Sequence, residues 1–175
     1  MLNLLKKMCL EKKYVSIYLA SSNDSKFIYG RIIWVNEEHA AIYMLALDGG
    51  YDGILVRKTD DIIRIEIGGF YAKKMEKLYA DHDLKPELYL LDENNIAESL
   101  LLKAQKESKI ICLEILDSGY EDVVGYVENI YNGLCTINRI DEYGAEDGKV
   151  FVEIKNITQI AFETKAENII QKLNT

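Results

Sequence analysis

Gly30-Arg-Ile-Ile-Trp-Val-Asn36 and Gly125-Tyr-Val-Glu-Asn-Ile-Tyr131 decide the fold of this chain. They lie 95 residues apart, and at that offset the sequence aligns with itself without a gap from Gly30/Gly125 to Glu66/Ala161. Seven of these thirty-seven positions are identical: Gly30/Gly125, Ile42/Ile137, Gly49/Gly144, Asp52/Asp147, Gly53/Gly148, Ile62/Ile157 and Ile65/Ile160. Ordinary residue usage gives roughly two or three. Apolar residues also face apolar residues at Ile32/Val127, Val35/Ile130, Leu45/Ile140 and Leu55/Val150, and Lys77-Leu78 matches Lys172-Leu173. Upstream, Val15, Ile17 and Leu19 match Ile111, Leu113 and Ile115 after a shift of one residue. A period of this kind marks an internal duplication. The chain holds two copies of a unit of about 70 residues.

Each copy predicts five strands and flanking helices. In the first, apolar and polar residues alternate over Tyr14–Leu19 as in a half-buried strand. A polar turn, Ser21–Lys26, leads to a second strand over Phe27–Val35. There Ile28, Gly30 and Ile32 keep alternation, but the next inward residue is Val35, three positions on, and the second copy skips alike at Val127 and Ile130. A shared skip beside a mid-strand glycine predicts a bulge or sharp bend. Further strands are predicted over Ala40–Leu47, Ile54–Arg57 and Ile62–Ile67, with a glycine-rich turn from Asp48 to Gly53. Helices are predicted over Asn3–Lys12, Asn95–Lys109, Tyr71–Ala80 and Lys165–Leu173. Asn95 is placed to cap the second of these, with Glu98 three residues on. The organisation expected is residues 1–80 as one unit, 81–94 as a linker holding the single proline, Pro86, and 95–175 as the other unit. Leu88-Tyr-Leu-Leu91 is too apolar to be left in water and is expected to pack on a barrel.

A short helix followed by five bent strands with a mid-strand glycine resembles the Sm-like family. The residues that carry the resemblance are Gly30-x-Ile32-x-x-Val35-Asn36 and Ile54-Leu-Val-Arg57-Lys-Thr-Asp-Asp-Ile62-Ile-Arg-Ile65. The resemblance implies a mostly β protein with flanking helices: two tandem, five-stranded, strongly bent Sm-like (SH3-type) barrels. It also implies assembly by pairing of edge strands, with three chains able to form a six-barrel ring, although a compact pseudo-dimer fits the short linker equally well. RNA-binding members use a stacking residue and a base-reading asparagine. Those slots fall on Glu38 and Ala40 in the first copy, and on Gly133 and Cys135 in the second; His39 is one position from the stacking slot. None of the four slot residues can stack on a base and read its edge. Where the family has Arg-Gly, this chain has Arg57-Lys58 and Val152-Glu153.

Composition agrees with a folded, soluble chain. Of 175 residues, 49% are apolar and 29% charged. The longest apolar run, Ala40 to Leu47, is too short for a membrane helix, and the lysines within Met1–Lys13 argue against a secretory signal. Three cysteines without a C-x-x-C pair predict reduced thiols in the cytoplasm. The net charge of −8 lies wholly in residues 92–175, which hold eight basic and sixteen acidic residues; residues 1–91 are balanced at thirteen each. An acidic half repels phosphate backbones. His39 and His82 are isolated from each other and from cysteine, so no metal set is expected, and the Asp48…Asp52-Gly53 turn lacks the ligand spacing of a calcium loop. No nucleophile-and-base pattern and no phosphate-binding glycine loop is present.

These observations predict a non-enzymatic binding or assembly module without cofactor, metal, DNA or membrane partner. Its partners are expected to be proteins, or other copies of itself, joined through barrel edge strands. The alternative is RNA binding through the first barrel, which the pocket residues and the charge disfavour. The surface that would serve RNA or a partner comprises Arg31, Trp34, Asn36, His39, Arg57 and Lys58.

Overall fold

A computed structural model describes residues 1–20, 27–80 and 91–174. The predicted turn over 21–26 and most of the linker, including 88–90, lie outside the described residues; Leu91 is buried.

The first half runs α1 (Leu2–Glu11), β1 (Tyr14–Leu19), β2 (Ile28–Val35), β3 (His39–Leu45), β4 (Tyr51–Lys58), β5 (Ile62–Glu66) and α2 (Gly69–Tyr79). The second repeats that order as α3 (Ile96–Glu107), β6 (Ile110–Ile115), β7 (Val123–Tyr131), β8 (Leu134–Ile140), β9 (Glu146–Glu153), β10 (Ile157–Phe162) and α4 (Lys165–Leu173). A single 3-10 turn, Thr59–Asp61 or Ile154–Asn156, joins the last two strands of each half.

All ten strands belong to one antiparallel sheet in the order β5-β1-β2-β3-β4-β10-β6-β7-β8-β9. Each half has the five strands expected of it, but the two halves share one open sheet in place of the two separate barrels expected. Closure of a half would require its fourth strand to pair with its fifth. Instead β5 crosses to β1, β10 crosses to β6, and the outer side of β4 is taken by β10. The sheet is therefore open, with β5 and β9 at its edges.

The mid-strand glycines are demanded by close backbone approach. A Cβ on Gly30 would lie 2.3 Å from the Tyr43 carbonyl oxygen, and one on Gly125 would lie 2.1 Å from that of Asn138. Just beyond each glycine the register slips, between Ile32 and Trp34 in one half and between Val127 and Asn129 in the other. These bulges answer the shared skip in the apolar pattern and bend both strands at the same place.

Helices cover the bends. From α1, Leu5 and Met8 are buried with Val15, Ile17, Ile32 and Ile42. From α3, Leu100, Leu101 and Ala104 are buried with Ile111, Val127, Ile137 and Phe162. Burying each of the larger of these side chains is worth about 1.5–3 kcal/mol. Ala41, Ile54 and Val56 of the first half sit in the second core, and Cys112 and Ala161 of the second half sit in the first. Each of the two cores thus draws side chains from both halves. Asn95 caps α3 by accepting from the Glu98 N–H, and α4 starts in a capping box between Thr164 and Glu167. Among the described residues no helix is long and apolar enough to cross a membrane.

Candidate functional site: the seam, its cleft and the free edges

The two halves meet where β4 and β10 pair in four steps, Arg57 with Gln159, Val56 with Ile160, Leu55 with Ala161 and Ile54 with Phe162. Arg57, in the outermost pair of this ladder, is 1% exposed. Its Nε donates to Asp61 Oδ2, and its Nη1 donates to Glu114 Oε2 and, at 3.1 Å, to Gln159 Oε1. Glu114 Oε1 accepts from the Gly119 N–H at 2.9 Å. An arginine enters a core only when its donors are matched in this way. At one end of the seam Lys165 donates to Asp48 at 2.9 Å, and the Lys165 N–H donates to Asp52 at 3.0 Å. Gly53, at φ +87, brings its Cα against the Phe162 carbonyl; an added Cβ would lie 2.5 Å from that oxygen.

Above the seam opens a cleft of about 510 Å³ between the β2–β3 and β4–β5 turns on one side and the start of α3, Gly133 and Lys155 on the other. Asn36 shapes its rim: Oδ1 accepts from the Glu38 and His39 N–H groups, and Nδ2 donates to the Glu93 carbonyl at 2.7 Å. His39 lines the cleft, and burial lowers its pKa from the ordinary histidine value, with Lys58 adding to the effect and Glu38 opposing it. Lys58 and Lys155 are outnumbered there by Glu37, Glu38, Asp60 and Glu98. The cleft therefore presents no excess of positive charge to a phosphate backbone.

Of the six surface residues expected from sequence, His39 and Lys58 line this cleft and Asn36 braces its rim. The other three do not join them. Arg57 is inside the seam. Trp34 is half-buried against the core of the second half. Arg31 lies among tyrosines, its guanidinium 5.8 Å from the Tyr14 ring and 5.7 Å from the Tyr43 ring. Burial pushes the hydroxyls of Tyr29 and Tyr43 in this aromatic layer up to about 12. Of the four base-site slots, Glu38 and Gly133 are exposed, whereas Ala40 and Cys135 are fully buried. Sequence reasoning missed Glu114 and Gln159, the seam partners of Arg57. The signal available was Arg57 itself, whose counterpart at the 95-residue offset, Val152, is apolar.

No group of three or more His, Cys, Asp or Glu side chains is placed to hold a metal ion among the described residues. At the ends of the sheet, β5 and β9 each have one partner strand among the described residues. Ile63, Ile67 and Phe70 are exposed at the β5 end, and Tyr143 and Phe151 at the β9 end.

No family model, curated protein or solved structure matches this chain.

Proposed function

We propose that this chain is a non-enzymatic assembly module of two tandem Sm-like units, each a five-stranded part of the open sheet, whose edge strands bind protein partners, foremost further copies of itself. One observation carries the reading. The seam joins the fourth strand of one half to the fifth strand of the other, and the two edges left over are a fourth strand, β9, and a fifth strand, β5. The joint already made within the chain can therefore be made again between chains, head to tail. If the repeated joint closes after three chains, the product is a ring of six units. Its three free cysteines fit a reducing compartment such as the cytoplasm.

RNA binding through the first half has weaker support. Of its expected cations, Arg57 is engaged inside the fold and Arg31 is half-buried among tyrosines, and the cleft is lined by more acids than bases.

Sedimentation equilibrium of the full chain across micromolar concentrations tests the reading. A mass of several chains, three for a closed ring, is expected. A single-chain mass up to about 100 µM, a concentration ample for a specific interface, overturns it.

A further inference from the structure

The two ends of the sheet differ from the seam in a way that names the contact between copies. Transposing the β4–β10 register by 95 residues sets Arg64 against Val152, Ile65 against Phe151, Glu66 against Val150 and Ile67 against Lys149. The backbone repeats at the residue after the strand, where Glu163 has φ +58 and its counterpart Gly68 has φ +77, and departs at the next, Thr164 at φ −68 against Gly69 at φ +85. Gly53 packs on the Phe162 carbonyl at the seam, while its counterpart Gly148, at φ +75, has none of the described residues within 4 Å of where a Cβ would be. The free edge thus holds the same glycine in the same left-handed turn, with the neighbour missing.

The side chains have been exchanged. Lys165 and Asp48, ion-paired at the seam, correspond to Phe70 and Tyr143. Phe70 is 93% exposed and Tyr143 is 76% exposed. Arg57 corresponds to Val152, its partner Gln159 to Arg64, and Glu114 to Tyr18 in the shared strand alignment. Arg64 lies 3.6 Å over the Tyr18 ring, so the pocket that receives a guanidinium at the seam is capped by a cation–π stack at the β5 edge.

Resting on the assembly proposed above, we infer that copies of this chain join through an aromatic contact, Phe70 of one chain on Tyr143 of the next, in the place of the Lys165–Asp48 ion pair. Two large exposed rings brought together lose their water and gain ring–ring attraction, which suits them to dominate an interface. The exchange also keeps the two joints apart. A β9 strand docked on β10 would set Val152 against Glu114 and leave that carboxylate without its cation.

The test uses the full chain and four proteins: wild type, Phe70→Lys, Tyr143→Asp and the double variant, which rebuilds the ion pair of the seam. Both sites are exposed, so far-UV circular dichroism should be unchanged. Each single variant should weaken self-association about tenfold or more, as loss of a central aromatic anchor does. The double variant should recover most of the loss at low salt and lose it again in molar salt, which leaves wild-type association intact. Wild-type association with both single variants unaffected overturns the aromatic contact and leaves edge assembly standing. A wild type that stays a single chain overturns edge assembly itself.

Discussion

Arg57→Met removes the buried cation of the seam while keeping an unbranched apolar stem. The guanidinium holds two nearly buried carboxylates, Asp61 at 11% and Glu114 at 6% side-chain exposure. The third acid, Asp117, is 3.7 Å away and half-exposed, so it adds little. Removing one member of a buried ion pair costs about 3–5 kcal/mol, because the charges left behind are neither solvated nor paired. We therefore expect urea unfolding of Arg57→Met to show a loss of about 3–4 kcal/mol, a large share of the roughly 5–15 kcal/mol of a typical domain. Trp34, the single tryptophan, packs against the core beside the seam and supplies the fluorescence signal. Adding Glu114→Gln should then recover about 1–2 kcal/mol, since the amide oxygen can still accept from Gly119 while the stranded charge is gone. Two results would refute the argument: Arg57→Met within 1 kcal/mol of wild type, about the worth of an exposed pair, or a further loss when Glu114→Gln is added.

Gly30→Ala and Gly125→Ala each drive a Cβ into a facing carbonyl and should cost about 3 kcal/mol in thermal or urea unfolding. Gly133→Ala, at φ +74 with open space around it, should cost only the left-handed backbone penalty of about 1–2 kcal/mol. Thr164→Ala removes the cap of α4 and should cost about 1 kcal/mol, with Thr164→Ser near wild type. His39 is held neutral by burial, so its folded pKa lies below the unfolded value. The unfolded chain then binds the extra proton first, and wild type should lose stability as pH falls below about 6.5. His39→Gln should lack that component; equal pH slopes for the two proteins between pH 7 and 5.5, the range where an ordinary histidine titrates, would contradict it.

Local pattern made the elements legible. The alternation of Val15, Ile17 and Leu19 placed β1, and Lys165–Leu173 proved to be α4 with the predicted ends. β3 stops at Leu45, short of the expected Leu47, and β4 starts earlier, at Tyr51. The Ala46 N–H donates to the Gly50 carbonyl and the Gly50 N–H to Asp48 Oδ1, which closes the turn in fewer residues than its glycines suggested. What could not be read was pairing at long range. Arg57 looked like a surface cation because Glu114 is 57 residues away and Gln159 is 102 residues away. The same blindness made two separate barrels of one sheet, since periodicity records which face of β4 is buried and says nothing of the strand beside it. Asn36 and His39 were found because their chemistry is local, within the turn that Asn36 itself organises.

The central claim is that the free edges repeat the seam between copies, and a disulfide across the transposed register tests it most directly. In the double variant Ile65→Cys/Phe151→Cys the two thiols lie on opposite edges of one chain and can meet only between chains. The native Cys112 and Cys135 are buried out of reach, and the half-buried Cys9 is replaced by serine in every protein of the series. Mild oxidation followed by a non-reducing gel should give linked chains, ending at three if the ring closes, with neither single variant forming this series. Only single chains in the oxidised double variant would contradict the account.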